Sequence, residues 1–353
     1  MDNNTPDTNN FLNWVEIKNF KSIKDLRFDC KRVNIFIGKP NVGKSNILEA
    51  LGLLGAGYDE SKFLKGAVRY TSIKHLFWDN DTGINIEIST EHKKIIIARL
   101  PTLRVVLDDS QYSDGDTNFT IVGEGAGIRN IDEKGNLSNV LSTNPDSRKD
   151  FDNQFKIIKK YDYANLTKFD NLFQGFLIPP GGPNLYSVIR RNQELWAEFA
   201  RLFTEQQLEF VLYDEKQEFI LQKRNGPLIT QYPYFSIADT FRRFMFYITA
   251  IESNKNSVIV FEEPEVHSFP PYTQEMAYRM IYDDDNQYFI STHSPYMLHP
   301  FIEKMDYKDL NVFITYYKDY QTYVRPLTEE EFTDILDYST NVFFNLRRFE
   351  PNA

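Results

Sequence analysis

Between Gly38 and Ser45 the chain reads GKPNVGKS and matches G-x-x-x-x-G-K-[ST] at every fixed position. Each fixed residue has a chemical task. Gly38 and Gly43 let the backbone curl so that successive N–H groups and a helix N-terminus face phosphate. Lys44 carries a fixed charge to the β- and γ-phosphates, and the Ser45 hydroxyl can ligate Mg2+. The nucleotide-binding set is therefore Gly38, Lys39, Pro40, Asn41, Val42, Gly43, Lys44, Ser45 and Asn46. Far downstream, SVIVFEEPEVHSFPP (257–271) is an apolar run ending in acids. Its last carboxylates fall at a sheet's C-terminal edge, where Glu262 can hold Mg2+ and Glu263 can polarise an attacking water. A third run, NQYFISTHSPYML (286–298), ends in His293, an imidazole able to approach the γ-phosphate from the side.

These groups need elements to position them. Val33 to Ile37 is a short apolar run of the kind buried inside a sheet. After the loop, Ile47, Leu48, Ala50, Leu51 and Leu54 recur at helical spacing, and Gly55-Ala56-Gly57 ends the helix. Strand–loop–helix is the context the motif requires. Trp14 to Ile17 and Leu26 to Cys30 alternate as strands, and INIEI, KKIIIARL and LRVVL between Ile84 and Leu107 read as antiparallel strands. From Asp108 to Arg148 the chain turns polar and Gly-, Asp-, Asn- and Ser-rich, the composition of a surface insertion. GEGAG (123–127) lacks strand–loop–helix flanks and reads as a turn. A helix is expected from Leu185 to Thr204, then a hairpin of Leu208–Tyr213 and Glu218–Lys223 across DEKQ. Strands Val312–Tyr317 and Tyr320–Pro326 and a helix Glu329–Tyr338 follow His293.

Composition bounds the reading. With 353 residues, 41% apolar and 15% aromatic, the chain can bury one large core or two modest ones. No apolar run nears the roughly 18 residues of a membrane helix, and the polar start MDNNTPDTNN is unlike a signal peptide, so a cytoplasmic, non-membrane protein is expected. The one cysteine, Cys30, fits a reducing compartment. A net charge of −10 argues against a surface wholly devoted to nucleic acid. Local basic groups remain at Lys18, Lys21, Lys24, Arg27, Lys31 and Arg32, at Arg190-Arg191 and at Arg242-Arg243, and are usually solvated faces.

Taken together, NFKSI (19–23), GKPNVGKSNILEA (38–50), VIVFEEPEVH (258–267) and STHSPYML (291–298) resemble the ABC-type ATPase heads of the SMC, RecF and OLD group, and within it the AAA-labelled ATPases of bacterial phage-defence and abortive-infection operons. The resemblance covers about residues 12–100 and 175–305. It implies an α/β fold with a mixed central sheet, flanking helices, an antiparallel β lobe and an inserted lid or arm subdomain at 107–231 of a single domain, 1–353. It also implies ATP and Mg2+ as cofactors, Lys44 and Ser45 as Walker A residues, Glu262 and Glu263 as the Walker B pair and His293 as the switch histidine. Glu265-Val266-His267 corresponds to the loop that meets the opposite subunit.

Two departures stand out. Glu262 replaces the usual Asp, and the signature loop is YFSIADTFRRF (234–244), where Ser236 aligns with the signature serine and Ala238 and Asp239 replace the small residues. Asp239 could equally be a plain N-cap, or face a nucleotide across a subunit boundary. A zinc cluster of Glu263, Glu265, His267 and His293, and a nuclease metal motif at Asp283 to Asp285, are weaker readings; the latter is expected to be a solvated turn. About 60 residues follow His293, too few for a toprim nuclease, and no heptad run supports long arms. The expectation is an ATPase that slowly hydrolyses ATP to gate homodimerisation, higher oligomerisation or assembly with a separate nuclease or toxin effector in prokaryotic defence. The alternatives are a non-hydrolysing nucleotide-dependent scaffold and a RecF-like DNA-repair ATPase contacting nucleic acid.

Overall fold

The computed structural model describes residues 10–55, 64, 66–99, 119–123, 127–132, 134, 137–140, 157–170, 175–337 and 342–351. The elements in chain order begin with β1 (Trp14–Phe20), β2 (Ile23–Asp29), β3 (Val33–Ile37), α1 (Lys44–Leu54), β4 (Ile86–Ser89), β5 (Lys94–Arg99), β6 (Phe119–Gly123), β7 (Gly127–Ile131), β8 (Leu137–Val140) and β9 (Ile158–Tyr161). Next come α2 (Leu185–Arg191), α3 (Gln193–Arg201), β10 (Glu209–Tyr213), β11 (Glu218–Asn225), β12 (Leu228–Pro233), α4 (Asp239–Glu252) and β13 (Ser257–Glu262). The chain continues through α5 (Pro270–Tyr282), β14 (Asn286–Ser291), α6 (Pro295–Lys304), β15 (Leu310–Lys318), β16 (Gln321–Pro326), α7 (Glu329–Asp337) and α8 (Leu346–Phe349).

The central sheet has the order β16-β15-β3-β14-β13-β9, with β16 alone antiparallel to its neighbour. Its inner strands are covered on both faces, which is why VNIFI and SVIVF are apolar apart from Asn34 and Ser257, themselves buried. The period of two still sorts their side chains. Ile35, Ile37, Ile259, Phe261, Tyr288, Ile290, Val312 and Ile314 enter one core under the later helices. Phe36, Val258, Val260, Phe289 and Phe313 enter the other, against α1 and the antiparallel lobe. Truncating a ring such as Phe289, wholly buried, would cost about 3–5 kcal/mol. Helix α1 is therefore clamped between the central sheet and a seven-stranded antiparallel sheet of order β2-β1-β4-β5-β6-β7-β8. Burial pushes the Cys30 thiol up.

Several boundaries differ from expectation. The helix expected over 185–204 is two helices, because Asn192 leaves helical geometry and its side chain accepts from Glu194 N and Leu195 N, capping α3. The expected hairpin has a third strand, β12, exposed along its length and so without the apolar alternation that would reveal it. The strand expected at Leu26 to Cys30 begins earlier, at Ile23. LRVVL, most of GEGAG, Ala56-Gly57, most of Asp108 to Arg148, and Tyr338 lie outside the described residues. The span 107–231 serves several places: β6–β8 extend the antiparallel sheet, β9 joins the central sheet, and β10–β12 form a sheet of their own.

The basic groups are largely taken up within the chain. Arg32 donates to the carbonyls of Met280, Ile281 and Asp283, finishing α5. Lys31 donates to Tyr307 and Leu310 carbonyls, Arg190 pairs with Asp214, and Arg242 and Arg243 pair with Asp239. Arg27 lies over the Trp14 ring and Lys24 over that of Trp78. In the expected solvated turn Asp284 is 72% exposed, while Asp283 is half-buried. It accepts from the Tyr288 hydroxyl and from Asn286 at 2.8 Å, and burial raises its pKa.

Candidate functional site

β3 delivers the chain to the loop and α1 leaves it, as the spacing predicts. Gly43, before the first turn of α1, has φ 100°, and a Cβ there would lie 2.0 Å from Thr322 Oγ1. Lys44 is 6% exposed. Its Nζ donates to the Gly38 and Lys39 carbonyls, both at 2.9 Å, so the lysine folds back over its own loop. Burial lowers its pKa, opposed by Glu263 and Glu262. Pro40 and Asn41 are exposed at the crest, Val42 is buried and Asn46 donates to Ser22 Oγ at 2.7 Å. Lys39 pairs with Glu350, just after α8.

β13 ends at Glu262 and β14 at Ser291, in parallel register, so their terminal groups reach one edge. The Ser45 hydroxyl lies near enough to the Glu262 carboxylate to help hold its pKa low. A hydroxyl beside a carboxylate, with other positions left to water and phosphate oxygens, is a donor set that fits Mg2+. Glu262 has further partners: Arg69 at 3.1 Å on one oxygen and Lys160 at 3.6 Å on the other. Burial works to raise the Glu262 pKa, but Lys160, Ser45 and Arg69 together hold it low. Glu263 adopts φ 44°, its N–H donating to Ser291 O at 3.0 Å, and its Oε1 lies 3.1 Å from His293 Nε2. Burial and Lys44 depress the His293 pKa, while Glu263 acts the other way.

Other expected residues fall elsewhere. Glu265, aligned with a loop between subunits, turns inward: its Oε1 accepts from Thr292 Oγ1 at 2.6 Å and His293 N at 2.8 Å. It thereby fixes the turn that carries His293. Among the described residues no group of three His, Cys, Asp or Glu could hold a metal, so the zinc and nuclease readings find no geometry there. Ser236 is exposed in a single 3-10 turn. Asp239 is not the N-cap. That place is Ala238, without a side-chain bond, and Asp239 in the first turn accepts from Arg243 at 2.6 Å and from Arg242 and Tyr163 at 3.3 Å. Its pKa is lowered, the cost of burial being outweighed by Arg243 and Arg242. Thr240 Oγ1 donates to His267 O at 2.7 Å, joining this helix to the segment after Glu265.

Sequence reasoning missed the cations at Glu262. Lys160 stands on β9, a strand buried along its length, and Arg69 also binds Glu49, a buried carboxylate of α1 that Lys21 holds from its other oxygen. Paired lysines inside an otherwise apolar strand, IKKY, were the available signal. Glu49, Arg69, Lys160 and Glu262, with Asp162 and Glu263, line a cavity of about 240 Å3 beside the site.

In fold the chain resembles the head domains of SMC proteins. It is similar, over 91% of its length and 99% of the other chain, to an SMC head bound to the C-winged helix domain of ScpA, with TM-score 0.50 and 13% identity. An SMC head with an extended coiled coil bound to a ScpA C-terminal domain derived from Pyrococcus furiosus matches 93% of this chain and 99% of its own, with TM-score 0.49 and 13% identity. Residues 11–180 match the AAA ATPase domain family. One curated relative, an uncharacterized protein of Methanocaldococcus jannaschii, is 34% identical over 88 residues, 22% of this chain, and the chain spans 40% of that relative's length. Among the described residues no helix is long and apolar enough to cross a membrane.

Proposed function

We propose that the chain binds Mg-ATP on residues 38–46 and hydrolyses it slowly, and that a second copy closing over the nucleotide gates assembly with an effector chain. The observation supporting this most is the Glu263–His293 pair, 3.1 Å apart at the strand ends beside Lys44, Ser45 and Glu262. A carboxylate held there can take the proton of an attacking water, and the imidazole fixes its orientation. Lys44 would swing from the Gly38 and Lys39 carbonyls to the phosphates, and Ser45 and Glu262 would hold Mg2+. When bound, Mg2+ neutralises charge developing on phosphate oxygens. Glu263→Gln should keep Mg-ATP affinity by calorimetry and lose about 100-fold or more in turnover, since an amide cannot accept the proton. A wild-type rate in that variant would defeat the assignment.

Ser236 and the start of α4 would face the partner's nucleotide, making the active form a homodimer or a larger assembly. That one similar SMC head is bound to another protein's domain supports a protein partner. A nuclease or toxin effector, a prokaryotic defence role and a cytoplasmic location rest on the sequence resemblance alone. The ion pairs of Asp239 favour one rival, a non-hydrolysing scaffold in which α4 only packs. Internal pairing of most of the basic clusters lends nothing to the DNA-repair alternative.

A further inference from the structure

We propose that the β15–β16 hairpin is the platform for the nucleotide's base, with Tyr317 as the ring on which it stacks. This rests on residues 38–46 holding phosphates. The hairpin is joined directly to the loop: Thr322 Oγ1 donates to Val42 O at 2.9 Å, and Thr322 N donates to Ser22 O at 2.8 Å. A Cβ on Gly38 would lie 2.3 Å from Thr315 O, as one on Gly43 would meet Thr322. Both fixed glycines are thus places where the loop rests against this hairpin.

Strand order supplies the direction. From β3, the strands β14 and β13 lie to one side and bring His293, Glu262 and Glu263; β15 and β16 lie to the other. The terminal phosphate belongs with the groups that would act on it, on the β14 side. A nucleotide crossing the start of α1 then leaves toward the hairpin.

The hairpin meets it with aromatic surface. Tyr317 pairs across the strands with Thr322, so both share the face that touches the loop, and Tyr317 is 48% exposed. At the tip, Asp319 and Tyr320 have φ 49° and 61°, a two-residue turn where Asn or Gly is usual, and Tyr320 is 83% exposed. By contrast Tyr316 and Tyr323, on the opposite face, stack on each other at 5.5 Å. A bare ring recognises the π-face of a base and not its edge, so the ligand class is a nucleoside triphosphate, with ATP and GTP both accepted.

Calorimetry with Mg-ATP and with Mg-tripolyphosphate, which has the phosphates without the base, tests this. Wild type should prefer ATP. Tyr317→Ala should weaken ATP about tenfold and leave tripolyphosphate unchanged, Tyr317→Phe should restore ATP binding, and Tyr316→Ala should change neither. Unchanged ATP affinity in Tyr317→Ala, or a wild type holding both ligands equally, would overturn the proposal. A folded wild type that binds neither ligand would instead remove the phosphate-loop reading, and this inference with it.

Discussion

The loop side and the signature side of the candidate site are held in opposite ways. On the loop side the groups leave strands and a helix packed between two cores, Lys44 is bound to its own loop, Glu263 is paired with His293, and Glu262 is held by Arg69 and Lys160. On the signature side Ser236 is exposed, Ala238 makes no side-chain cap bond, and Asp239 is committed to Arg242, Arg243 and Tyr163. The first half is thus preorganised by one chain. The second is surface, and its part in the proposed chemistry depends on what meets it.

Removing the loop's charge tests the contrast hardest. Lys44→Ala should weaken Mg-ATP binding by about 100-fold or more while leaving the circular dichroism intact, because the amine bonds only two loop carbonyls. A folded variant with unchanged affinity would dissolve the loop half as a site. Next come the two cations on Glu262. Lys160 is nearly buried, so Lys160→Met should cost about 2 kcal/mol in urea denaturation by stranding part of a buried charge. Arg69 is 68% exposed, and although it also holds the buried Glu49, Lys21 remains on that carboxylate's other oxygen, so Arg69→Ala should cost less, about 1 kcal/mol. Equal losses would mean that burial does not set the strength of these pairs.

The same contrast explains what the sequence disclosed. GKPNVGKS, the acids after SVIVF and the histidine after YFIS were legible because rigid strands carry them to one edge, so local pattern determined placement. The break at Asn192, the exposed β12 and the pairing of Asp239 were not legible. Asn192 caps the residues two and three ahead and Asp239 pairs with arginines three and four ahead, single polar contacts that leave no apolar period; β12 faces solvent and Tyr163 lies 76 residues from Asp239. In the stretch Glu265-Val266-His267, aligned with a loop that meets the opposite subunit, the Glu265 carboxylate serves Thr292 and His293 within the chain, while Val266 and His267 are exposed.

On the signature side, effects should be smaller and should appear in assembly rather than in stability. Ser236→Arg, at an exposed position, should leave unfolding within about 0.5 kcal/mol of wild type. Added to Glu263→Gln, it should reduce the Mg-ATP-dependent dimer mass seen by light scattering. A mass indifferent to both nucleotide and substitution would favour the constitutive scaffold.

The last test sharpens the comparison from outside the site, at the lysine adjacent to Lys160. Lys159 is 4% exposed, its Nζ bound to Asn254 Oδ1 and to Ser257 Oγ at 2.9 Å and lying 3.8 Å from the Phe176 ring centre. Burial pushes its pKa down to about 7 from an ordinary 10.5. Between those values the unfolded chain holds a proton that the folded chain lacks, so unfolding takes up a proton and this group makes stability rise with pH. Below about pH 7 both states are charged, and the contribution is at its minimum. Across the window the gain is at most about 1.4 kcal/mol per pH unit. The stability of wild type relative to Lys159→Met should therefore increase between pH 7.5 and 9.5 in urea denaturation. A difference independent of pH would show that Lys159 stays charged in the fold, held by two neutral oxygens and a ring as firmly as a lysine held by a carboxylate.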